Sequence, residues 1–332
     1  MRSRSIGPIL LTALILGGCR QPVSSRHEPN HGYEPAVHRA STPEAISLLG
    51  SELFAPVFSE ETRSKQELDL LRAQADYDAD PHDEEAVIWL GRRLAYLGRY
   101  HDAINVFNNG LAIHPKSHRL LRHRGHRYLT IRKLDLAIAD LQRAAELIQG
   151  VPDEVEPDGA PNRLNIPTST SHTNIYYHLG LAKYLVGDFR GAVESYERCL
   201  EFSKNDDMRV ATLYWLYLSQ QRAGEVDAAK RTLEQVSPAM TVIENHSYLL
   251  LLRVFRGEIA PASLEAPQES DSDITVDRAT IGYGLAVNEL IHGDRAAATV
   301  RFKKVVEDPE LNWAAFGFIA AEVELARKRV GR

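Results

Sequence analysis

Small and large apolar residues recur along this chain as a block with a fixed spacing. Gly91 and Gly125 stand 34 residues apart, as do Ala103 and Ala137, Phe107 and Leu141, and Gly110 and Ala144. Segments such as "WLGRRLAYLGRYHDAINVFNNGLAIHP" read as two amphipathic helices joined by a short turn. Neither helix of such a pair buries its apolar face alone, so the pattern predicts a stack of pairs. The small residues let paired helices approach, while Phe107, Leu141, Tyr196 and Phe302 fill the space between them. Cys199 falls at a small position and reads as a core hydrophobe. A Gly-rich phosphate loop, a βα alternation and a nucleophile elbow are all missing from the sequence.

These marks resemble the tetratricopeptide repeat, which places L-G, then Y, then A-x₃-F, then P at fixed offsets. The quoted segment has Leu90, Gly91, Gly98, Tyr100, Ala103, Phe107 and Pro115 there, with Val87 in place of the signature Trp and Leu94 in place of the Tyr. A second unit carries Leu121, Gly125, Tyr128 and Ala137; a third carries Tyr176, Leu179, Gly180, Gly187, Ala192 and Tyr196. A fourth turns at Gly224, and two divergent units turn at Gly257 and Gly293. The resemblance implies an all-α fold, a right-handed superhelix of stacked helix-turn-helix repeats over residues 80–332, closed by a C-terminal capping helix. Residues 43–79 are expected to lay one or two helices over the first repeat.

The period breaks once. Gly125 and Gly180 are 55 residues apart, which leaves an insert at 149–172. Long loops in compact arrays are usually functional or disordered. This one opens with Asp153, Glu154, Glu156 and Asp158, and is expected to fold back towards basic helices as a regulatory wall or cover.

The N-terminus follows a different logic. Arg2 and Arg4 precede a short apolar run, then Gly17, Gly18 and Cys19, and the run is shorter than the ~20 residues that span a bilayer. This order resembles a bacterial lipoprotein signal: residues 1–18 as the signal peptide, Cys19 as the lipidated residue, and residues 19–42 as lipidated Cys plus flexible tether. Arg20 after the Cys points to the outer membrane, facing the periplasm, if the cell has one.

Net charge is −6, so general attraction to nucleic acid or to anionic lipid is not expected. Yet residues 103–134 contain no Asp or Glu, and "HRLLRHRGHRY" gathers Arg119, Arg122, Arg124 and Arg127 with three histidines. In tetratricopeptide proteins the first helices line the concave surface. By that resemblance Arg92, Arg119, Arg122 and His126 face the groove and hold acidic groups, while Tyr177 and Tyr184 supply apolar contact. Guanidinium forks bind carboxylates or phosphates in this way. The competing structural reading pairs some of these arginines with acids such as Asp135 or Asp140. No metal is implied, because His123 and His126 lack a neighbouring Cys or carboxylate in sequence, and no cofactor is implied. The family's clamp for C-terminal carboxylates uses a Lys and Asn pair where this chain has Ile88 and Arg92.

The reading is a lipid-anchored, non-catalytic envelope scaffold that binds a protein or acidic peptide. Two alternatives stay open. One is a hydrolase with His123 or His126 as base, oriented by Asp153 or Glu154. The other is a binder of an anionic glycan or lipid.

Overall fold

The computed structural model describes residues 42–264, 274–308 and 312–330. The expected signal peptide, Cys19 and the tether up to residue 41 lie outside them.

The described residues form an all-α array. Paired helices follow the expected repeats: α2 (Glu84–Tyr96) with α3 (Tyr100–Ile113), α4 (His118–Thr130) with α5 (Leu134–Leu147), α6 (Ser171–Val186) with α7 (Phe189–Phe202), and α8 (Asp206–Ala223) with α9 (Val226–Glu234). A fifth unit has α10 (His246–Phe255) and a 3-10 turn at Pro261–Leu264; the sixth pairs α11 (Ile274–Ile291) with α12 (Arg295–Glu307). The chain continues into α13 (Phe316–Val330). Side chains of Asp83, Ser117, Thr170, Asp188, Asn205 and Asp294 accept backbone N–H groups at helix starts, which sets where each begins.

Within pairs the small-large fit is tight. A Cβ on Gly91 would sit 2.3 Å from the Phe107 ring, one on Gly125 2.8 Å from Leu141, and one on Gly180 2.8 Å from Tyr196. Cys199 is fully buried beside Thr212, and burial pushes its thiol up to about 12, so it packs as a core residue.

The N-terminal segment holds one helix, α1 (Glu60–Ala79), preceded by a strand pair that the sequence pattern did not suggest, β1 (Ala45–Ile46) and β2 (Glu52–Leu53). The pair has a job. Glu44 beside β1 accepts from the backbone N–H of Tyr100 (2.9 Å) and His101 (3.1 Å), capping α3, whose own N-cap Arg99 makes no side-chain capping bond.

At the other end, helix α13 packs on α11 and α12 and in addition reaches back to the turn ends of repeats 2, 3 and 4. Its Glu322 holds Arg132 through two bonds of 3.0 Å, and both side chains are at most 2% exposed. Glu322 also accepts from Leu48 N, and Arg132 donates to the carbonyl of Trp313, whose indole in turn donates to Phe54 O (2.7 Å). Further along, Glu324 pairs with Arg222 (2.6 Å), while Arg327 donates to the last carbonyls of α6, those of Tyr184 and Leu185.

Arg132 occupies the position that is glycine in the other turns. Gly98, Gly187, Gly224, Gly257 and Gly293 all have positive φ, and Arg132 adopts φ 64° in their company. A non-glycine residue there carries a penalty of about 1–2 kcal/mol. The guanidinium it brings to the α13 junction offsets that penalty.

Breaking the pair should expose its weight. Glu322→Ala is expected to lower stability in urea unfolding by roughly 3–5 kcal/mol, because a buried guanidinium loses its partner. Arg132→Gly should be less damaging than Arg132→Ala by on the order of 1 kcal/mol, since only glycine relieves the left-handed backbone. Equal losses would mean that the turn stores no strain.

Candidate functional site

A cavity of about 310 Å³ lies between α2, α4 and the insert. Three guanidiniums line it: Arg92 from α2, and Arg122 and Arg127 from α4, with His123 and His126 between them. The helical repeat places them together, since Arg92 and His126 occupy equivalent positions of neighbouring first helices.

The insert forms the opposite wall. Its base is a bridge between Val155 and Thr170, with Glu156 N donating to Ser169 O (3.1 Å). Glu156 then turns inward. One carboxylate oxygen lies 3.1 Å from Arg122 Nη2, and the other accepts from Asn174 Nδ2 at 2.9 Å. Arg93 donates to the carbonyl of Gly159, which passes so close that a Cβ would meet the Tyr96 hydroxyl at 2.3 Å. On the far side Glu244 accepts from Thr168 and Asn162 of the insert. Asp207, buried in α8, fixes Glu244 by accepting the backbone N–H groups of Ile243, Glu244 and Asn245.

Direct pairing in this cavity is uneven: Glu156, Asp158 and Glu244 all line it, but only Glu156 meets one of its arginines, Arg122. Among the described residues, Arg92 and Arg127 pair with no carboxylate: Arg92 donates to Tyr96 Oη and lies over Trp89, and Arg127 lies over Tyr100. Arg92 is only 8% exposed. Desolvation, with Arg122 and Arg92 nearby, lowers Arg127 to about 10, so it stays cationic at neutral pH. The Nε of Arg122 is buried without a hydrogen-bond partner.

The histidines are neutral. Burial, then the adjacent Arg122 and Arg92, hold His123 well below its ordinary value; burial and Arg127 do the same for His126. Arg122 Nη1 lies 2.8 Å from His123 Nδ1. A guanidinium can only donate, so Nδ1 is the acceptor and the ring proton sits on Nε2, 3.7 Å from Glu156. His126 packs at a tilt against His178 and Phe316, which ties the cavity floor to α13. His178 is lowered to about 3, by burial and then by Arg122.

Several expected site residues lie elsewhere. Arg119 is engaged by Glu85 (2.5 Å) and Glu84 (3.6 Å) of the preceding repeat, and Arg124 forms a two-bond pair with Asp140. Tyr177 and Tyr184 are buried instead of lining a groove. Tyr184 Oη meets Tyr283 Oη at 2.8 Å, and Tyr177 Oη meets Tyr248 Oη at 3.2 Å. The array curls so tightly that first helices of distant repeats touch, which fills that part of the concave side. The insert's acids also separate. Asp153 lies 2.9 Å from His172, Glu154 bonds Ser171 through its backbone carbonyl, and Asp158 binds Ala160 N at the cavity edge. The carboxylate that reaches His123 is Glu156, not the expected Asp153 or Glu154. Among the described residues no His, Cys, Asp and Glu cluster is arranged for a metal, and no helix is long and apolar enough to cross a membrane.

Arg127, Tyr96 and Glu244 belong to the cavity although the groove positions of the family did not mark them. Arg127 could have been found from the sequence, since it lies one turn beyond His123 on the same helix. Glu244 gave no local signal, because it arrives through Asp207 and the closed array.

Residues 173–206, covering α6, α7 and the start of α8, match the tetratricopeptide repeat family model. No curated protein matches the sequence. Among solved structures the chain is similar to a tetratricopeptide repeat protein from Parabacteroides merdae, at 16% identity over 79% of this chain and 94% of that one, with a TM-score of 0.46. It is also similar to YrrB, described as a TPR protein with an unusual peptide-binding site (12% identity, 73% and 95% covered, TM-score 0.41). A third likeness is MamA (19% identity, 61% and 100% covered, TM-score 0.40).

The buried histidines give the fold an acid-side weakness. His178 has a folded value of about 3 against 6.5 unfolded, so below pH 6.5 the unfolded chain binds a proton that the folded chain refuses. Stability should therefore fall as pH drops from 7 towards 5, by about 2 kcal/mol at pH 5 from this residue. The melting temperature of His178→Phe should drop less over that interval; an equal drop would place the acid sensitivity in other groups.

Proposed function

We propose that this tetratricopeptide-repeat protein is a lipid-anchored scaffold of the cell envelope that binds an acidic group of a partner protein in its arginine-lined cavity. The observation that carries the reading is the pair Arg92 and Arg127. Both guanidiniums line a partly open, polar cavity, and among the described residues neither meets a carboxylate. Cations kept from water in this way favour an anionic partner, and the guanidinium plane fits a carboxylate through two parallel bonds. The repeat architecture supports a binding role over a catalytic one, because repeat arrays commonly present surfaces to partners. His123 and His126 have their proton affinity held down and lack a carboxylate at hydrogen-bond distance, a poor arrangement for a general base.

The order of charge, apolar run, glycines and Cys19 supports anchoring by acyl chains at the N-terminus, with the outer membrane, facing the periplasm, as the preferred location. Cys19→Ala should abolish incorporation of labelled fatty acid and shift the protein from membrane to soluble fractions. Retention of both label and membrane association would overturn the anchor.

For the cavity, a photoreactive residue at position 160, on its exposed rim, is expected to crosslink a partner in intact cells. The same residue at position 136, on an exposed face of α5, should not. Crosslinking from 160 should disappear with Arg92→Gln or Arg127→Gln. A crosslink that survives both substitutions would move the partner away from the arginines.

A further inference from the structure

We propose that Glu156 is a resident substitute for an anionic ligand: an incoming carboxylate or phosphate group takes its place on Arg122, draws in Arg92 and Arg127, and frees the insert to lift. This deepens the reading above and rests on it, since it names what occupies the arginine cavity and what controls entry.

The geometry has the form of a partly satisfied anion site. Of the three carboxylates that line the cavity with three guanidiniums, Asp158 and Glu244 bond insert residues, and only Glu156 meets an arginine there, Arg122. The second oxygen of Glu156 is spent on Asn174, not on another arginine. The carboxylate and guanidinium are themselves close to buried, at 12% and 11% side-chain exposure. Yet Arg122 Nε, also buried, bonds nothing, so the pair is a single contact where a guanidinium fork can make two. A tetrahedral phosphate or a carboxylate that engaged Arg122 together with Arg92 or Arg127 would gain contacts that Glu156 does not make.

The insert is built to be released. Its apolar side chains do not anchor it: Val155 is 62%, Leu164 49% and Ile166 50% exposed. What holds it down is polar: the Glu156 contacts, the Gly159 carbonyl on Arg93, the Thr168 carbonyl on Asn205, Asp153 at His172, and the bonds of Asn162 and Thr168 to Glu244. Segments with little buried apolar area open at low free-energy cost. When a ligand displaces Glu156, the central one of these contacts is gone. The cavity of about 310 Å³ accepts one anionic group with the insert in place, whereas an extended acidic segment needs the insert raised.

The test uses the full-length protein in detergent, titrated by calorimetry with inorganic phosphate and, separately, with a short polyglutamate peptide. Glu156→Gln should bind at least one probe roughly tenfold more tightly than the parent, and Arg127→Gln should bind neither. Hydrogen exchange at residues 153–160 of the parent should accelerate on saturation with the probe that binds. Should Glu156→Gln fail to fold by circular dichroism, Asn174→Ala loosens the same carboxylate without changing charge and should tighten binding in the same direction. Binding of phosphate alone would identify a free anion as the source of the ligand group, and binding of the peptide alone a protein. Equal affinities in parent and variant, with exchange at 153–160 unchanged, would overturn the substitute role and leave the cavity reading intact. If neither probe binds any form, both fall.

Discussion

The structure depends on one buried contact, the two-bond pair between Arg132 and Glu322. It joins a turn of the second repeat to the last helix, and through Glu322 to the N-terminal strand pair at Leu48. A stack of helix pairs ordinarily touches only its neighbours and leaves its concave side open. Here the ends meet across that side. The turn position that carries glycine elsewhere carries an arginine in the left-handed region, so the backbone accepts strain in order to deliver a guanidinium. A buried ion pair adds little net stability over apolar packing, but it tolerates few wrong arrangements. Its role is therefore one of specification: it sets where α13 lies across the array.

Everything at the candidate site follows from that placement. With α13 seated, Phe316 packs on His126, His178 and Tyr177, and the aromatic residues of α6, α8 and α11 meet in the interior. What would be a long trough becomes an aromatic core at one end and an arginine-lined, partly open cavity at the other. Burial changes the electrostatics, since guanidiniums removed from water interact more strongly with one another and with any anion. The neutral state of His123, His126 and His178 has the same origin: a proton there would add charge beside arginines in a place water reaches poorly.

How much of this was legible depended on the range of the interaction. The repeat was legible because its determinants are local and periodic: Gly91 with Phe107, Gly125 with Leu141 and Gly180 with Tyr196 meet within a single helix pair. The pairing of Arg124 with Asp140 was legible for the same reason. Burial of Tyr177 and Tyr184 was not, because it needs Tyr248 and Tyr283 from two and three repeats away. A hint existed in "LYWLYL", where large apolar residues occupy every face of α8, a pattern of helices buried all round. The strand pair was hidden by its size, two residues a side, and by the distant helix end that Glu44 caps. Arg132 looked like one more member of a basic cluster. Its alignment with the turn glycines was the mark that set it apart.

Two kinds of closure coexist in this chain, and their chemistry differs in a way that assigns them different roles. Helix α13 is held by an ion pair with at most 2% exposure and by a contiguous core that includes Phe318, Ile319 and Val323, so lifting it would uncover charge and apolar surface together. The insert is held by hydrogen bonds at its rim and one carboxylate on Arg122, with its own apolar residues turned to solvent. Each insert bond can be exchanged for one to water or to a ligand anion, because a hydrogen bond to a charged group is worth about 1.5–3 kcal/mol net and an incoming anion replaces it in kind. The helix is the permanent wall. The insert, by the same arithmetic, is the wall that a ligand of the right charge can move.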